Sequence, residues 1–404
     1  MSLPVRPRLR PLEIKRLRQD GHEYFYLRDL LSLSGEELLV PLELGPALAL
    51  LDGEHDLPVI RARCLLSAGL DISPADLVEL VRRLDAALLL EGERVERVKR
   101  AVLEAFRGAP CRPAALADRV YPGEAAALHG QLMAFELRAE QAAAPEAEVV
   151  GVLSPHIDYA RGGPVYAAGW RQAQRAACAA KRVIMLGTDH AGSGGRLTLT
   201  RQQYATPFGT LPTDLELVDA LEAALGVERA FDEELHHRNE HSIELASVWL
   251  HHARGGEPVS VLPLLCGHPG PFLGSGSLDG DGLAGVLDIL SRVVADGALV
   301  VVAGDLAHVG PAFGDMQPFG PAERAAVQAA DRAALAACSD GVEALLREVG
   351  RIEDRYRICG LTPLAVALAI MPPVRLQLAA YAQCPADEIG ASFVSVASGC
   401  FVRQ

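Results

Sequence analysis

The stretch Val149-Val150-Gly151-Val152-Leu153 runs directly into Ser154-Pro155-His156, and this change from apolar to polar residues decides the fold. The arrangement recurs twice: residues 183–186 run into Gly187-Thr188-Asp189-His190, and residues 299–302 run into Ala303-Gly304-Asp305-Leu306-Ala307-His308. Short apolar runs that are rich in Val, Ile and Leu predict buried strands. Each predicted strand delivers a histidine, with an aspartate close by, just beyond its carboxyl end.

Outward from these strands, β-rich runs alternate with helical segments through residues 141–404. The predicted strands are 149–153, 182–186, 258–265, 298–303, 374–380 and 393–396, and the predicted helices are 164–180, 214–225, 241–254, 282–296, 321–338, 340–350 and 362–370. This alternation is typical of an α/β domain whose central sheet is covered by helices. Ligands bind at the carboxyl edge of such a sheet, because loops and helix N-termini meet there.

Residues 1–140 have a different pattern and are predicted to form a separate helix-rich module. A β-type run at 24–27 precedes predicted helices at 36–51, 60–68, 74–89 and 93–106, with a hairpin wing at 88–92 and a helical linker at 115–144. Ser73-Pro74 is a typical helix start, with an N-cap followed by proline. This layout is winged-helix-like, and with Leu50-Leu51-Asp52-Gly53 it resembles the PqqD-type peptide-recognition domain.

The composition argues against several classes of protein. The 404-residue chain has 38 basic and 52 acidic side chains, so its formal net charge of −14 disfavours binding to nucleic acid or to an anionic membrane. We find no signal-peptide core and no apolar run that would span a bilayer, and we expect a cytoplasmic protein. The eight cysteines include no Cys-x-x-Cys pair, so neither a zinc finger nor a disulfide framework is predicted.

Three histidines on one sheet edge favour a metal-type site. A single histidine after a strand is more often a structural hydrogen-bonding group, but His156, His190 and His308 all follow strands of the same predicted sheet. Neutral imidazole is the commonest ligand for Fe, Zn and Cu, and a carboxylate such as that of Asp305 or a thiolate completes such sites. Two histidines and one anionic group would leave the remaining histidine free as a general base.

Two further segments allow more than one interpretation. Glu240-His241-Ser242-Ile243-Glu244 opens a predicted helix, where the acids either complement the helix dipole or support a metal ligand or substrate. Cys359 precedes a helix that begins with Pro363, a position that lowers a thiol pKa, yet the local sequence alone favours a structural cysteine. A further group of histidines is predicted to be solvated: His236, His237, His251 and His252.

The ordered motifs resemble the Memo family, whose bacterial and archaeal members are the B component of the AmmeMemoRadiSam set. The matching motifs are Pro155-His156 with Tyr159, Leu186 to His190, Tyr204-Ala205-Thr206-Pro207-Phe208-Gly209-Thr210-Leu211-Pro212-Thr213-Asp214, Glu240 to Glu244, Asp305 to His308 with Gly310, and Ile358-Cys359-Gly360 with Pro363. They cover about 149–400. The sequence departs from the family pattern at Ile157-Asp158, at Asp189 and at Ala191, so Asp158 and Asp189 add acidity near the expected site.

The resemblance implies a fold similar to the class III extradiol dioxygenases of the LigB type. It implies His156, His190 and Cys359 as metal ligands, with Asp305 and His308 as the proton-handling pair. The thiolate favours Cu or Zn, although Fe also fits the site. Further candidate site residues are Glu240, His241, Glu244, Asp189, Asp158 and Tyr159.

Three functions compete at this stage. The first is a metal-dependent oxidoreductase of dioxygenase ancestry, in which Asp305 orients His308. The second is a non-catalytic adaptor whose pocket grips a partner's peptide or a metal. The expected partners are an unknown small molecule or peptide, together with the radical SAM enzyme and the small Amme-type domain protein of the same set. The third is hydrolysis by zinc-bound water, which ranks lowest because the chemistry of the related fold is oxidative.

Overall fold

The structure is a computed structural model that describes residues 3–141, 143–278, 280 and 282–404. The chain divides into two compact units, Met1–Gly108 and Ala109–Gln404. Each has its own cluster of buried apolar side chains. Among the described residues, no helix is both long enough and apolar enough to cross a membrane.

The first unit combines a three-stranded antiparallel sheet, in the order β1-β2-β3, with four helices. Its elements are β1 (Glu13–Gln19), β2 (His22–Arg28), β3 (Leu38–Pro41), α1 (Gly45–Ala49), α2 (Leu57–Ala68), α3 (Pro74–Ala86) and α4 (Glu93–Gly108). As predicted, Ser73 caps α3 by accepting a hydrogen bond from the backbone N–H of Asp76. The predicted run 24–27 lies within β2.

Two expectations for this unit are wrong. The pattern of residues 36–51 predicts one helix, but they contain β3, a short 3₁₀ turn and α1. Leu38 and Val40 lie on one face of β3 and pack into the core of the unit, while Pro46 starts α1. The second is the wing at 88–92, where Leu90 instead forms an isolated antiparallel bridge with Leu9.

The second unit contains the large sheet and the helices that cover it. Its elements are α5 (Ala125–Arg138), β4 (Val149–Ser154), α6 (Tyr159–Ala179), β5 (Arg182–Thr188), β6 (Leu197–Leu199), β7 (Tyr204–Thr206), β8 (Gly209–Leu211), α7 (Leu215–Leu225), α8 (Val227–Phe231), α9 (Ser242–Ala253), β9 (Ser260–Cys266), α10 (Gly270–Ser275), α11 (Leu283–Ala295), β10 (Leu299–Ala303), β11 (His308–Val309), α12 (Pro321–Ala337), α13 (Val342–Gly350), α14 (Leu361–Ile370), β12 (Val374–Pro385) and β13 (Phe393–Arg403). The six strands and seven helices predicted for 141–404 are all present, with shifted ends.

The sheet is mixed and has eight strands, in the order β11-β13-β4-β10-β5-β9-β6, with β12 paired to β13. The four central strands β4, β10, β5 and β9 are parallel, and the outer pairings are antiparallel. Strand β10 lies between β4 and β5, so the three strands that precede His156, Asp305 and His190 are immediate neighbours. This confirms the predicted α/β class.

Helices cover both faces of this sheet, because its strands bury side chains on both faces. Ile184 and Leu186 of β5 pack into one apolar cluster with α7, α11, α13 and α14. Val183 and Met185 of the same strand pack into the other cluster, with α5, α6 and α9. Strands buried on both faces explain the continuous apolar runs in the sequence.

The boundary between the two units lies earlier in the chain than the predicted boundary after residue 140. Helix α5 falls within the predicted linker, yet Leu128 and Leu132 are fully buried in the same cluster as α6. Residues 109–140 are therefore part of the α/β unit. The Ala-rich sequence of α5 predicts a linker because the residues of α6 against which α5 packs are not evident from the sequence of α5 itself.

A candidate metal centre

Asp305 lies at the middle of the site because β10 lies between β4 and β5. Its carboxylate Oδ1 accepts hydrogen bonds from the backbone N–H of His156 at 2.8 Å and of Ile157 at 3.3 Å. Its Oδ2 lies 3.7 Å from His156 Nε2. The carboxylate thus holds the start of the loop after β4 and faces the imidazole of His156.

The ring of His156 is fixed from both sides and is almost completely buried. Nδ1 lies 3.1 Å from the carbonyl oxygen of Ala303, so Nδ1 carries the proton and donates it. Nε2 is left as the nitrogen that can bind a metal, and it lies 3.2 Å from Cys359 Sγ. A backbone carbonyl behind a histidine is the usual way to fix the tautomer of a metal ligand.

A tight backbone crossing brings Cys359 to this position. The N–H of Gly360 donates to the carbonyl of Asp305 at 2.9 Å, and Thr188 Oγ1 donates to the carbonyl of Cys359 at 3.0 Å. A Cβ added to Gly304 would lie 2.6 Å from the Cα of Gly360, so this approach requires glycine. Two segments more than fifty residues apart in sequence are thereby joined at the end of β10.

The thiol of Cys359 lies in a field that favours its ionised form. Burial alone would raise its pKa, but the imidazoles of His156 and His308 and hydrogen bonds from His156 and His190 outweigh burial and hold the pKa well below its ordinary value. The thiolate is the form of cysteine that binds metals. Cys359 is therefore a candidate metal ligand.

Glu240 orients two imidazoles at once. Its carboxylate lies 3.0 Å from His190 Nδ1 and 3.1 Å from His241 Nδ1. The two rings stack with their centroids 4.8 Å apart and their planes inclined by 15°. With each Nδ1 bonded to Glu240, each Nε2 remains available to a metal, so Glu240 acts behind the ligands rather than among them.

His156, His190 and His241 together form a group that can hold a metal ion. One ligand nitrogen from each lies within 4.8 Å of the others. The resemblance implies two of these histidines as ligands, with His241 as a subsidiary candidate. The sequence does not single out His241 as a metal-type residue. It lies in a segment at the start of α9 whose acids, such as Glu240, are already explained by their interaction with the helix dipole.

The charges around these residues suit a cation. Burial would lower the pKa of His156, but Cys359 and Asp305 raise it to about 9. Burial likewise acts against the charged form of His190, yet Glu240 and Cys359 hold its pKa well above 6.5. A pocket that draws protons onto the imidazoles of His156 and His190 has a strongly negative potential, which also attracts metal ions.

The distance between His156 and Cys359 fits shared coordination. Typical Zn–N and Zn–S bonds in a tetrahedral site place the two ligand atoms about 3.5 Å apart. The observed N···S distance of 3.2 Å is close to that value. Imidazole nitrogens with one thiolate are a donor set that suits Cu, Zn or Fe.

His308 lies beside the thiolate but is oriented differently from the prediction. Leu306, not Asp305, supplies the oxygen 3.0 Å from His308 Nδ1, which leaves Nε2 as the basic nitrogen. Phe313 packs edge-on against the ring, with centroids 5.2 Å apart. The prediction has Asp305 orienting His308, but the Asp305 carboxylate is directed to His156.

The remaining candidates lie outside this cluster. Asp158 caps α6 and pairs with Arg161, and the hydroxyl of Tyr159 donates to the carbonyl of Leu245 at 2.7 Å. Glu244 is fully buried with Arg112 and Tyr121. These contacts give each residue a structural role. Asp189, by contrast, contacts His236, with Oδ2 2.8 Å from Nδ1.

The prediction that four further histidines are solvated is wrong. His237 and His251 are buried, and burial lowers the pKa of His237 to about 3. His236 and His252 are largely covered and pair with Asp189 and Glu136. Polar neighbours in the sequence indicate solvent, but in the fold these histidines are covered and bond to residues far away in the sequence, such as Asp189 for His236 and Glu136 for His252.

Comparison with known proteins gives the family. The family model described as Memo-like protein matches residues 112–400. A MEMO1 family protein of Thermus thermophilus is 32% identical over 250 residues, which cover 61% of this chain and 69% of that relative. One of Aquifex aeolicus is 24% identical over 322 residues, covering 79% of this chain and 80% of that relative. All of the residues that the family model matches lie in the α/β unit, and the chain belongs to the Memo-like protein family.

Proposed function

We propose that this protein is a metal-dependent oxidoreductase that acts on a small molecule or peptide at the carboxyl edge of the large sheet. The observation that carries the proposal is the convergence of His156, His190, His241 and Cys359, with each imidazole fixed from behind by an oxygen. Fe or Cu held there would supply electron transfer to oxygen. A non-redox ion could not relay electrons from the substrate to oxygen.

The exposure of the ligands supports an open site. The side chain of His156 is 1% exposed, whereas those of His190 and His241 are 35% and 39% exposed. A substrate would therefore approach from the side of the stacked pair. A catalytic metal site keeps such an open position, while a structural site is closed by protein ligands.

His308 is the proposed acid/base. Its Nε2 is the basic nitrogen because the carbonyl of Leu306 holds Nδ1. The ring lies near enough to Cys359 to help lower the pKa of that thiol. His308 would accept a proton from a substrate hydroxyl and return it to the product.

Metal analysis after anaerobic purification tests the proposal, followed by oxygen uptake with catechol-like substrates. The expected result is Fe or Cu bound by the wild type, about one equivalent less in His156→Ala, and metal retained but oxygen uptake lost in His308→Ala. The control is His268→Ala, which removes an exposed imidazole that follows β9 at the same edge. Metal content unchanged by His156→Ala, or no oxygen uptake by the metal-loaded wild type, would contradict the proposal.

A non-catalytic adaptor is the second candidate, and strand β1 favours it. This strand is at the edge of the first unit's sheet, and six of its seven residues are exposed. An exposed edge can receive a partner peptide as an additional strand. Binding of the radical SAM and Amme-type proteins of the set should then require residues 1–108. If a chain that begins at Ala109 retains both partners, the adaptor role fails.

A further inference from the structure

A second group of metal-type side chains lies beside the three-histidine cluster. One ligand atom from each of Asp189, Glu233 and His236 lies within 4.8 Å of the others. Asp189 directly follows β5 and precedes His190, while Glu233 and His236 belong to the segment between α8 and α9. The prediction from sequence includes the acidity of Asp189 but neither of its partners.

These three side chains are largely withdrawn from water. The side chains of Asp189, His236 and Glu233 are 1%, 12% and 14% exposed. Two carboxylates and one imidazole thus share a poorly solvated position where negative charge is costly.

The surrounding backbone is shaped around the carboxylates. A Cβ on Gly192 would lie 2.6 Å from the carboxyl carbon of Asp189, so the turn closes over this side chain only because residue 192 is glycine. The backbone N–H of Ala191 donates to Asp189 at 3.1 Å, and that of Ser193 donates to Glu233 at 3.2 Å. These bonds fix the two carboxylates close to each other.

A guanidinium that Glu233 shares with another carboxylate lies at the edge of this cluster. Arg196 Nε lies 3.9 Å from Glu233, but the same guanidinium pairs with Asp232 at 3.1 Å. His236 is the other cationic partner, and its Nδ1 is 2.8 Å from Asp189. A tetrahedrally coordinated ion would hold two such ligand atoms about 3.3 Å apart. The distance between His236 Nδ1 and Asp189 Oδ2 would therefore need to grow only slightly from 2.8 Å.

We propose that Asp189, Glu233 and His236 form a second metal site, which takes a divalent cation with oxygen and nitrogen preference such as Mn²⁺ or Zn²⁺. One nitrogen and two oxygen donors are a harder set than the nitrogen and sulfur donors at Cys359. Both sites would therefore accept Zn²⁺, but only the second would suit Mn²⁺. Three protein ligands also leave positions open for water or for an anionic group of a substrate.

The second site is coupled to the first through the backbone. The N–H of Glu240 donates to the carbonyl of His236 at 3.0 Å, and Glu240 orients His190 and His241. Asp189 and His190 are consecutive residues. An ion at the second site thus lies next to the face by which substrate would approach the first.

Metal titration of the full-length, chelator-stripped protein tests this site by itself. Mn²⁺ binding is followed by the loss of the free-ion electron paramagnetic resonance signal, and Zn²⁺ stoichiometry by competition with a chromophoric chelator. We expect about two equivalents of Zn²⁺ in the wild type and about one in His236→Ala, in Glu233→Gln and in His156→Ala. Mn²⁺ binding should survive in His156→Ala and be lost in the other two variants.

The outcomes separate the two sites. Loss of one Zn²⁺ in His156→Ala, with His236→Ala and Glu233→Gln equal to wild type, would leave the first site standing and overturn the second. If His156→Ala bound Zn²⁺ with wild-type stoichiometry while His236→Ala and Glu233→Gln each lost one ion, the second site would stand and the first would be overturned. Glu233→Gln preserves side-chain size, so it remains informative if His236→Ala unfolds, and His268→Ala should bind both ions like the wild type.

Discussion

A single carboxylate, that of Glu240, positions two histidines of the candidate site. The sequence allows Glu240 to be either a helix-terminal acid or support for a ligand, and in the structure it holds both His190 and His241. Its own pKa lies well below the ordinary value, because the two imidazoles outweigh the opposing effect of burial. A carboxylate that stays ionised when buried keeps both rings in the orientation that metal binding requires.

Asp331 of α12 shows the opposite behaviour and gives a prediction about pH. Burial raises its pKa from 3.8 to about 6, against hydrogen bonds that include one of 2.7 Å from the hydroxyl of Tyr381. The folded protein therefore holds this proton more tightly than the unfolded chain does. The resulting stabilisation is complete below about pH 4 and is lost as the pH rises through about 6.

Replacing Asp331 by asparagine should remove this dependence on pH. Asp331→Asn keeps an acceptor for Tyr381 and cannot ionise, so above pH 7 it should be more stable than the wild type by up to about 3 kcal/mol, from about 1.4 kcal/mol per pKa unit. Near pH 4 the difference should vanish. Thermal unfolding between pH 4 and 8 measures it, with the exposed Asp340→Asn as control. A difference that is constant with pH would contradict the assignment.

At the scale of elements, the close crossing of the segments at Gly304 and Gly360 positions Cys359. A Cβ on Gly360 would lie 2.7 Å from the carbonyl oxygen of Asp305. The φ of Gly360 is −76°, which alanine also adopts, so the effect of Gly360→Ala is steric. We expect destabilisation of about 1–3 kcal/mol and weaker metal binding, because the thiolate moves away from His156.

Denaturant unfolding and metal titration of the same samples measure this prediction. The matched control is Gly350→Ala at the end of α13, where an added Cβ meets no atom within 4 Å among the described residues. That variant should keep both stability and metal affinity. If Gly360→Ala bound metal like the wild type, the crossing would not be what positions Cys359.

The elements also explain which parts of the site could be predicted. His156, His190 and Asp305 follow strands whose apolar runs are visible in the sequence, and neighbouring parallel strands deliver them to one edge. Cys359 follows no strand, so its position becomes clear only through the order of motifs and then through the glycine crossing. His236 lies in a 3₁₀ turn, and nothing in its local sequence indicates that the turn folds back onto Asp189.

At the scale of the whole molecule, residues 109–140 decide where the α/β unit begins. Arg112 is completely buried and donates from Nη1 to the carboxylate of Glu244, which also accepts from the hydroxyl of Tyr121. The backbone N–H groups of Ala115 and Leu116 donate to the same carboxylate, at 3.0 and 2.8 Å. Three of these four donors, Ala115, Leu116 and Tyr121, therefore come from the segment 115–144 that the sequence presents as a linker, and Arg112 lies just before it.

Two truncated chains test this boundary. A chain that begins at Ala109 keeps every one of these donors to Glu244 and should unfold cooperatively with its metal site intact. A chain that begins at residue 141 loses Arg112 and the other donors to Glu244, and breaking a buried ion pair typically costs about 3–5 kcal/mol. It also removes Leu128 and Leu132 from the apolar cluster that covers α6. Circular dichroism melting and metal content compare the two, and Glu244→Gln in the longer chain separates the charge from the lost packing. Equal stability of the two chains would show that residues 109–140 are a linker after all.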